Sequence, residues 1–231
     1  MNNLERWRKL DVVNPRIIIW GGADQCRVNY PILNQLGYQI CAVVDDTKGK
    51  KSPFSKIPIY QGEDGLDKFL NDIDNTSLGY VIAIGNPFAH MRMKLHFLLK
   101  HKGLTPISFS DPTALICKTA IYQEGLQVMP LAIIHNEVVL GRQCIINTRS
   151  LVEHDCVLGD GVEIGPGAII CGRARIGENT WVGANATICP RITIGNNSII
   201  GAGAVVFQDV PDNVVVAGAP ARVIKENTGY E

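Results

Sequence analysis

Residues 152–160 read VEHDCVLGD and set one histidine, His154, between two carboxylates, Glu153 and Asp155. An imidazole with an unperturbed pKa of about 6.5 can take a proton from a reacting group near neutral pH. A carboxylate beside it can hold the ring tautomer and favour the imidazolium that forms. Taken alone, the same three residues also suit a solvated surface turn, since adjacent side chains on a turn point in different directions. Cys156 and Cys171 are weak candidates as nucleophiles, because neither has an adjacent base or helix N-terminus to lower its pKa.

What positions this segment is a repeat of six. Every sixth residue from Ile116 to Val206 is Ile, Leu or Val except Tyr122, and the position two earlier is mainly small, as at Ala114, Ala132, Ala168 and Ala204. Such a period suits a coil with three flat sides, each turning one branched side chain inward, and three sharp corners. Gly141, Gly159, Gly165, Gly177, Gly183, Gly195 and Gly201 follow the aliphatic position, where glycine is expected to supply the corner torsions. Three hexapeptides make an 18-residue turn, so residues 18 apart stack about 4.8 Å from each other. His154, at a corner, then points outward, with Asn136 one coil below it and Gly172 one coil above.

The first half has a different grammar. RIIIWG from Arg16 reads as a buried strand, a helical stretch through Val28, Ile32, Leu33 and Leu36 stops at Gly37, and QICAVVDD is a second strand. Residues 57–60 suit a short third strand, 65–71 a helix, YVIAIGN a fourth strand, and Met91, Leu95, Leu98 and Leu99 one side of a further helix. Alternating strands and helices predict parallel βαβ units with ligands at the carboxyl ends of the strands. That rule selects Gly21 and Gly22, Asp45 and Asp46, and Gly85 and Asn86. The chain therefore divides into an α/β Rossmann-like domain, 1–107, and an all-β parallel β-helix with its tail, 108–231.

Lys plus Arg and Asp plus Glu each total 22, so no net field draws in nucleic acid or an anionic membrane. The polar N-terminus and the lack of a long apolar run predict a cytoplasmic protein without membrane insertion. Seven cysteines without a CxxC pair fit reduced, mostly buried thiols.

The hexapeptide array, with VVDD at 43–46, IGN at 84–86 and the VEHDCVLGD segment, resembles the left-handed β-helix sugar acyltransferases typified by bacillosamine-pathway N-acetyltransferases and sialic-acid O-acetyltransferases. The left hand is implied by the resemblance; the general crossover rule favours the right. The resemblance implies acetyl-CoA as co-substrate and His154 as general base, with Asp155 orienting it. It also implies that the Gly172 N–H faces the thioester oxygen and that the missing side chain leaves room for the acyl group. The acceptor it implies is the amino group of a nucleotide-linked sugar for surface-glycan synthesis, in a homotrimer with sites between subunits. Gly201, Gly218, Pro220 and Arg222 are assigned to the coenzyme, and Asn136 and Asn147 to the sugar. Two departures stand out. Glu163 occupies the place of a second histidine that contributes to the acetyl-CoA site, as a coenzyme ligand or a solvated acid. GGADQC, with Asp24 and Gln25, replaces a Gly-His turn. O-acetylation of a sialic-acid-like sugar and a non-catalytic sugar-nucleotide-binding β-helix are the alternatives. β-Helical zinc carbonic anhydrases need three histidines per metal, and the repeat holds only His135 and His154, so no metal is expected.

Overall fold

A computed structural model describes residues 15–73 and 77–229; the polar N-terminal segment lies outside these. The first half is a five-stranded parallel sheet of β1 (Arg16–Trp20), β2 (Gln39–Asp45), β3 (Ile59–Gln61), β4 (Gly79–Ile82) and β5 (Thr105–Pro106), in the order β3-β2-β1-β4-β5. Helices α1 (Asp24–Gln35), α2 (Gly62–Asn71) and α3 (Ala89–His101) make the connections. Ile17, Ile18 and Ile19 are fully buried because helices cover both faces of the central strand, which is why RIIIW is a continuous apolar run. The strand order reverses between β1 and β4, opening a crevice at their carboxyl ends.

From Phe109 onward the chain forms two-residue strands stacked in three parallel sheets, with partners 18 residues apart: Ile133 on Leu151, Leu151 on Ile169, Ile169 on Thr187. We call the sheet of 127–128, 145–146 and 163–164 the docking face. The other two faces run through 133–134, 151–152 and 169–170, and through 139–140, 157–158 and 175–176. The sixth-position aliphatics fill the interior, Ile134, Val152, Ile170 and Ile188 being fully buried. The coil starts one hexapeptide before the aliphatic period does: Ser110 pairs with Val128 in register, and its hydroxyl masks the pattern. At the far end the spacing shortens, Ile199 pairing with Val215, and the antiparallel hairpin Val214–Gly218/Ala221–Glu226 closes the stack.

The role expected of the glycines needs correction. None of the seven that follow the aliphatic position has a positive φ; the left-handed residue comes two positions later, as at Asp155 (φ 58°), Gly161 (φ 71°), Asn185 (φ 55°) and Asn197 (φ 52°). These glycines are selected by space instead. A Cβ on Gly177 would lie 2.6 Å from Asn196 N and from Gly195 C in the next coil. Gly177→Ala should therefore cost about 1–3 kcal/mol through overpacking, whereas Asn185→Gly, at a left-handed position, should change stability by less than about 1 kcal/mol. Thermal unfolding of the two variants checks the distinction.

The first domain sits on the docking face. Outward residues there, Gln127, Ile145 and Glu163, are at most 6% exposed, whereas their counterparts on the other faces, Leu115 and Ile121, are 58% and 60% exposed. Gln127 Nε2 donates to the Ile82 carbonyl at 2.7 Å and Asn29 Nδ2 to Gln127 Oε1 at 2.9 Å, so these two buried amides are paired across the junction.

Candidate active site

His154 projects from the edge between the two faces remote from the docked domain, its side chain 45% exposed. Its Nδ1 lies 2.7 Å from Asp155 Oδ2. Asp155 holds this position because the corner puts it in the left-handed conformation, which a short polar side chain tolerates. The hydrogen bond to His154, helped by Arg173, whose Nε lies 3.8 Å away, holds the Asp155 carboxyl below the ordinary aspartate range. A carboxylate acceptor on Nδ1 puts the proton there and leaves Nε2 as the free base.

That Nε2 lies over Gly172. A Cβ at 172 would fall 2.6 Å from His154 Nε2 and 2.8 Å from Cε1. The space freed by the missing side chain is thus filled by the imidazole, not left open for an acyl group. Asn136, one coil below, accepts the Asp155 N–H through its carbonyl at 3.1 Å, while its side-chain oxygen contacts His135 Nδ1. Glu153, the other flanking acid, meets the His154 backbone N–H at 3.4 Å and not the ring. Burial pushes the Cys156 thiol up to about 11 and raises Cys171, which removes both as thiolate nucleophiles near neutral pH.

The remaining predicted residues form two other groups. Gly21, Gly22, Asp45, Asp46, Gly85 and Asn86 lie at or just beyond the carboxyl ends of β1, β2 and β4. Gly21 is fixed by its backbone: φ is 102° and a Cβ would lie 2.5 Å from the Ala83 carbonyl oxygen, where β1 and β4 approach. Asp45 differs from expectation. Its buried carboxylate accepts from Gly22 N at 2.7 Å, Thr47 N at 2.9 Å and Lys50 Nζ at 2.8 Å, so it ties the two strand-end loops together and is not open to a ligand. Asp46 is the exposed acid of the pair, reached by Trp20 Nε1 at 3.3 Å.

Burial alone would raise the Asp45 carboxyl, but Lys50, Gly22 and Thr47 outweigh it and hold the group at about 2, against 3.8 for a free aspartate. A depressed carboxyl stabilises the fold above its unfolded pKa and loses that contribution as pH falls through the folded one. Asp45→Asn should thus lose about 2 kcal/mol at neutral pH, and the gap to the parent should close between about pH 4 and pH 2. Chemical denaturation across that range reads it directly.

Glu163 also departs from expectation. It is 6% exposed beneath the α/β domain, neither solvated nor on an open groove. Its Oε2 lies 3.5 Å from Arg92 Nη1, and Asn86 and Asn147 lie against the carboxylate. Burial raises this carboxyl above the ordinary range, against the pull of Arg92 and the two asparagines. The third group, Gly201, Gly218, Pro220 and Arg222, runs up the edge that carries Asn147, with Arg222 Nη1 on its neighbour's carbonyl at 2.8 Å. Within one chain, therefore, the crevice meets the edge that carries Asn147 through Asn86 and Glu163, whereas His154 stands at the corner between the two other faces.

Sequence reasoning missed Arg92 and His96, which are fully buried. The four-residue spacing of an arginine and a histidine on α3 ordinarily marks a solvated stripe; here that stripe meets the coils. His96 Nδ1 faces Tyr80 Oη and Gln143 Nε2, both at 2.8 Å, and Nε2 faces Glu124 Oε1 at 3.1 Å.

Residues 16–95 match the PglD N-terminal domain, and residues 137–172 and 173–208 match the bacterial transferase hexapeptide (six repeats). A histidine-to-asparagine mutant of perosamine N-acetyltransferase from Caulobacter crescentus, solved with CoA and GDP-perosamine, is 28% identical, with 91% of this chain and 97% of that chain covered and a TM-score of 0.83. The acetyltransferase domain of PglB from Neisseria gonorrhoeae, in complex with acetyl coenzyme A, is 28% identical over 91% of this chain and 100% of that chain, with a TM-score of 0.81. WeeI from Acinetobacter baumannii is 27% identical over 90% and 99%, with a TM-score of 0.77. With both halves matched and the whole architecture shared, the chain belongs to the hexapeptide-repeat, left-handed β-helix family of sugar N-acetyltransferases.

Proposed function

We propose that this protein transfers the acetyl group of acetyl-CoA to the amino group of a nucleotide-linked amino-deoxy sugar for surface-glycan synthesis in the cytoplasm. The observation that carries the reading is the His154–Asp155 pair, 2.7 Å apart, with Nε2 turned over Gly172. His154 Nε2 removes a proton from the amine as its nitrogen attacks the thioester carbonyl. The Gly172 N–H donates to the oxygen that gains charge, and Asp155 stabilises the imidazolium. The N–C bond forms, the C–S bond breaks, and the proton passes from His154 to the departing sulfur. No covalent enzyme intermediate is needed.

Because the crevice and His154 lie on opposite sides of one coil, a complete site takes His154 from one copy and the crevice from a neighbour. Two surfaces that do not carry the docked domain supply apolar contact for such an assembly: Leu115, Ile133 and Ile169 on one, Ile121 and Val139 on the other, each at least 37% exposed. A homotrimer arranged around these faces brings the Arg222 edge of one copy beside the His154 edge of the next, where the coenzyme would lie.

The test is thiol release from acetyl-CoA against UDP-, GDP- and dTDP-linked amino sugars, with sialic acid as a competing hydroxyl acceptor. Release with one nucleotide amino sugar is expected. Release with sialic acid alone would replace N- by O-acetylation, and silence throughout would favour a binding protein.

A further inference from the structure

Arg92 is fully buried at the junction of the two domains, and its guanidinium is spent on backbone. Nη2 donates to the Gly161 carbonyl at 2.7 Å, Nη1 to the Ile84 carbonyl at 2.9 Å, and Nε to the Gln143 carbonyl at 3.3 Å, with Glu163 Oε2 3.5 Å from Nη1. Three of these four partners belong to the coils and one, Ile84, to the loop after β4. Glu163 closes the other side of the same loop: it accepts the Asn86 backbone N–H and lies against the carboxamides of Asn86 and Asn147. Gly85 sits between, and a Cβ there would be 3.9 Å from both Glu163 oxygens. The side-chain Nδ2 of Asn86 is buried without an aligned acceptor among the described residues.

A buried ion pair is a poor source of stability, since well-packed apolar residues of similar volume usually serve as well or better. What it supplies is direction: a planar fork fixed on three carbonyls, and a carboxylate fixed on one loop amide. Resting on the function proposed above, we infer that Arg92 and Glu163 are a positioning pair that clamps the Ile84–Asn86 loop onto the β-helix and so sets the affinity of the crevice for the sugar nucleotide, independently of acetyl-CoA. Neither residue touches the reacting atoms. Glu163 then serves the acceptor side of the site.

The experiment measures both Michaelis constants for the parent protein, Glu163→Gln and the double apolar variant Arg92→Met/Glu163→Leu, alongside thermal unfolding. Glu163→Gln should raise the sugar-nucleotide KM about tenfold or more and move the acetyl-CoA KM less than about twofold. The double variant leaves no buried charge but strips three backbone carbonyls of their donor, so it should unfold below the parent temperature, and at temperatures where it is folded it should keep the raised sugar-nucleotide KM. If the folded double variant recovers the parent sugar-nucleotide KM, or if both Michaelis constants shift together, the pair is only structural and the inference fails. Should Glu163→Gln not fold, the double variant alone decides. A parent protein without turnover on any nucleotide amino sugar would instead strike at the proposed function, which separates the two failures.

Discussion

His154→Ala should lower kcat for acetyl transfer by about 10²–10⁴-fold, the span typical of a lost general base, and leave thermal unfolding within a degree or two of the parent (about 0.5 kcal/mol or less for a surface site). The two effects separate because the ring is 45% exposed at a corner and belongs to none of the buried clusters that hold the coil. Asp155→Asn should act in the same direction but less strongly, since it removes the anion that favours the imidazolium and keeps a polar group at the same corner. Unchanged turnover in the alanine variant, with the fold intact, would end the mechanism proposed here. Turnover is read as CoA thiol released, and fold as the circular dichroism melt.

The second large effect is expected at a residue without a side chain. Gly172→Ala retains the backbone N–H, yet its Cβ would enter the space occupied by His154 Nε2, 2.6 Å away. The imidazole must swing off, breaking its alignment with Asp155 or with the acceptor, and kcat should fall by about 10²-fold or more, as when a preorganised catalytic contact is lost. The cost should depend on the histidine. Measured against the residual rate of His154→Ala, adding Gly172→Ala should cost little, because the methyl then has room; a double-mutant cycle would show the two losses to be strongly non-additive. Full additivity would mean that Gly172 acts on the reaction independently of the ring.

Much of this was legible in the residues. A sixfold aliphatic period leaves few alternatives to a three-sided coil, because burial acts on every repeat in the same phase. Once the coil length is 18 residues, the stacking of Asn136, His154 and Gly172 follows by counting. Four strands and three helices of the first half were equally plain, since a parallel sheet covered on both sides demands unbroken apolar runs such as RIIIW, whereas the two-residue β5 at Thr105–Pro106 is too short to carry a pattern. The reading faltered where one residue type answers to two physical demands. Glycine after the aliphatic position looks like a torsional requirement, yet the constraint there is the backbone of the next coil 2.6 Å away. Asp45 looks like a ligand at a strand end, yet three donors of its own chain already saturate it.

The sequence by itself therefore determined the coil, the α/β domain before it and the His154 column, because each is written in local period and spacing. Only the tertiary structure decided that the α/β domain covers the face bearing Gln127, Ile145 and Glu163, that Arg92 is buried at that junction, and that the crevice lies away from His154 in the same chain. The physical reason is that docking depends on matching buried polar groups between segments some 45 to 98 residues apart, such as Ile82 with Gln127, Arg92 with Gly161 and Asn29 with Gln127. No period or neighbour rule carries that information, because each partner alone resembles an ordinary solvated polar side chain.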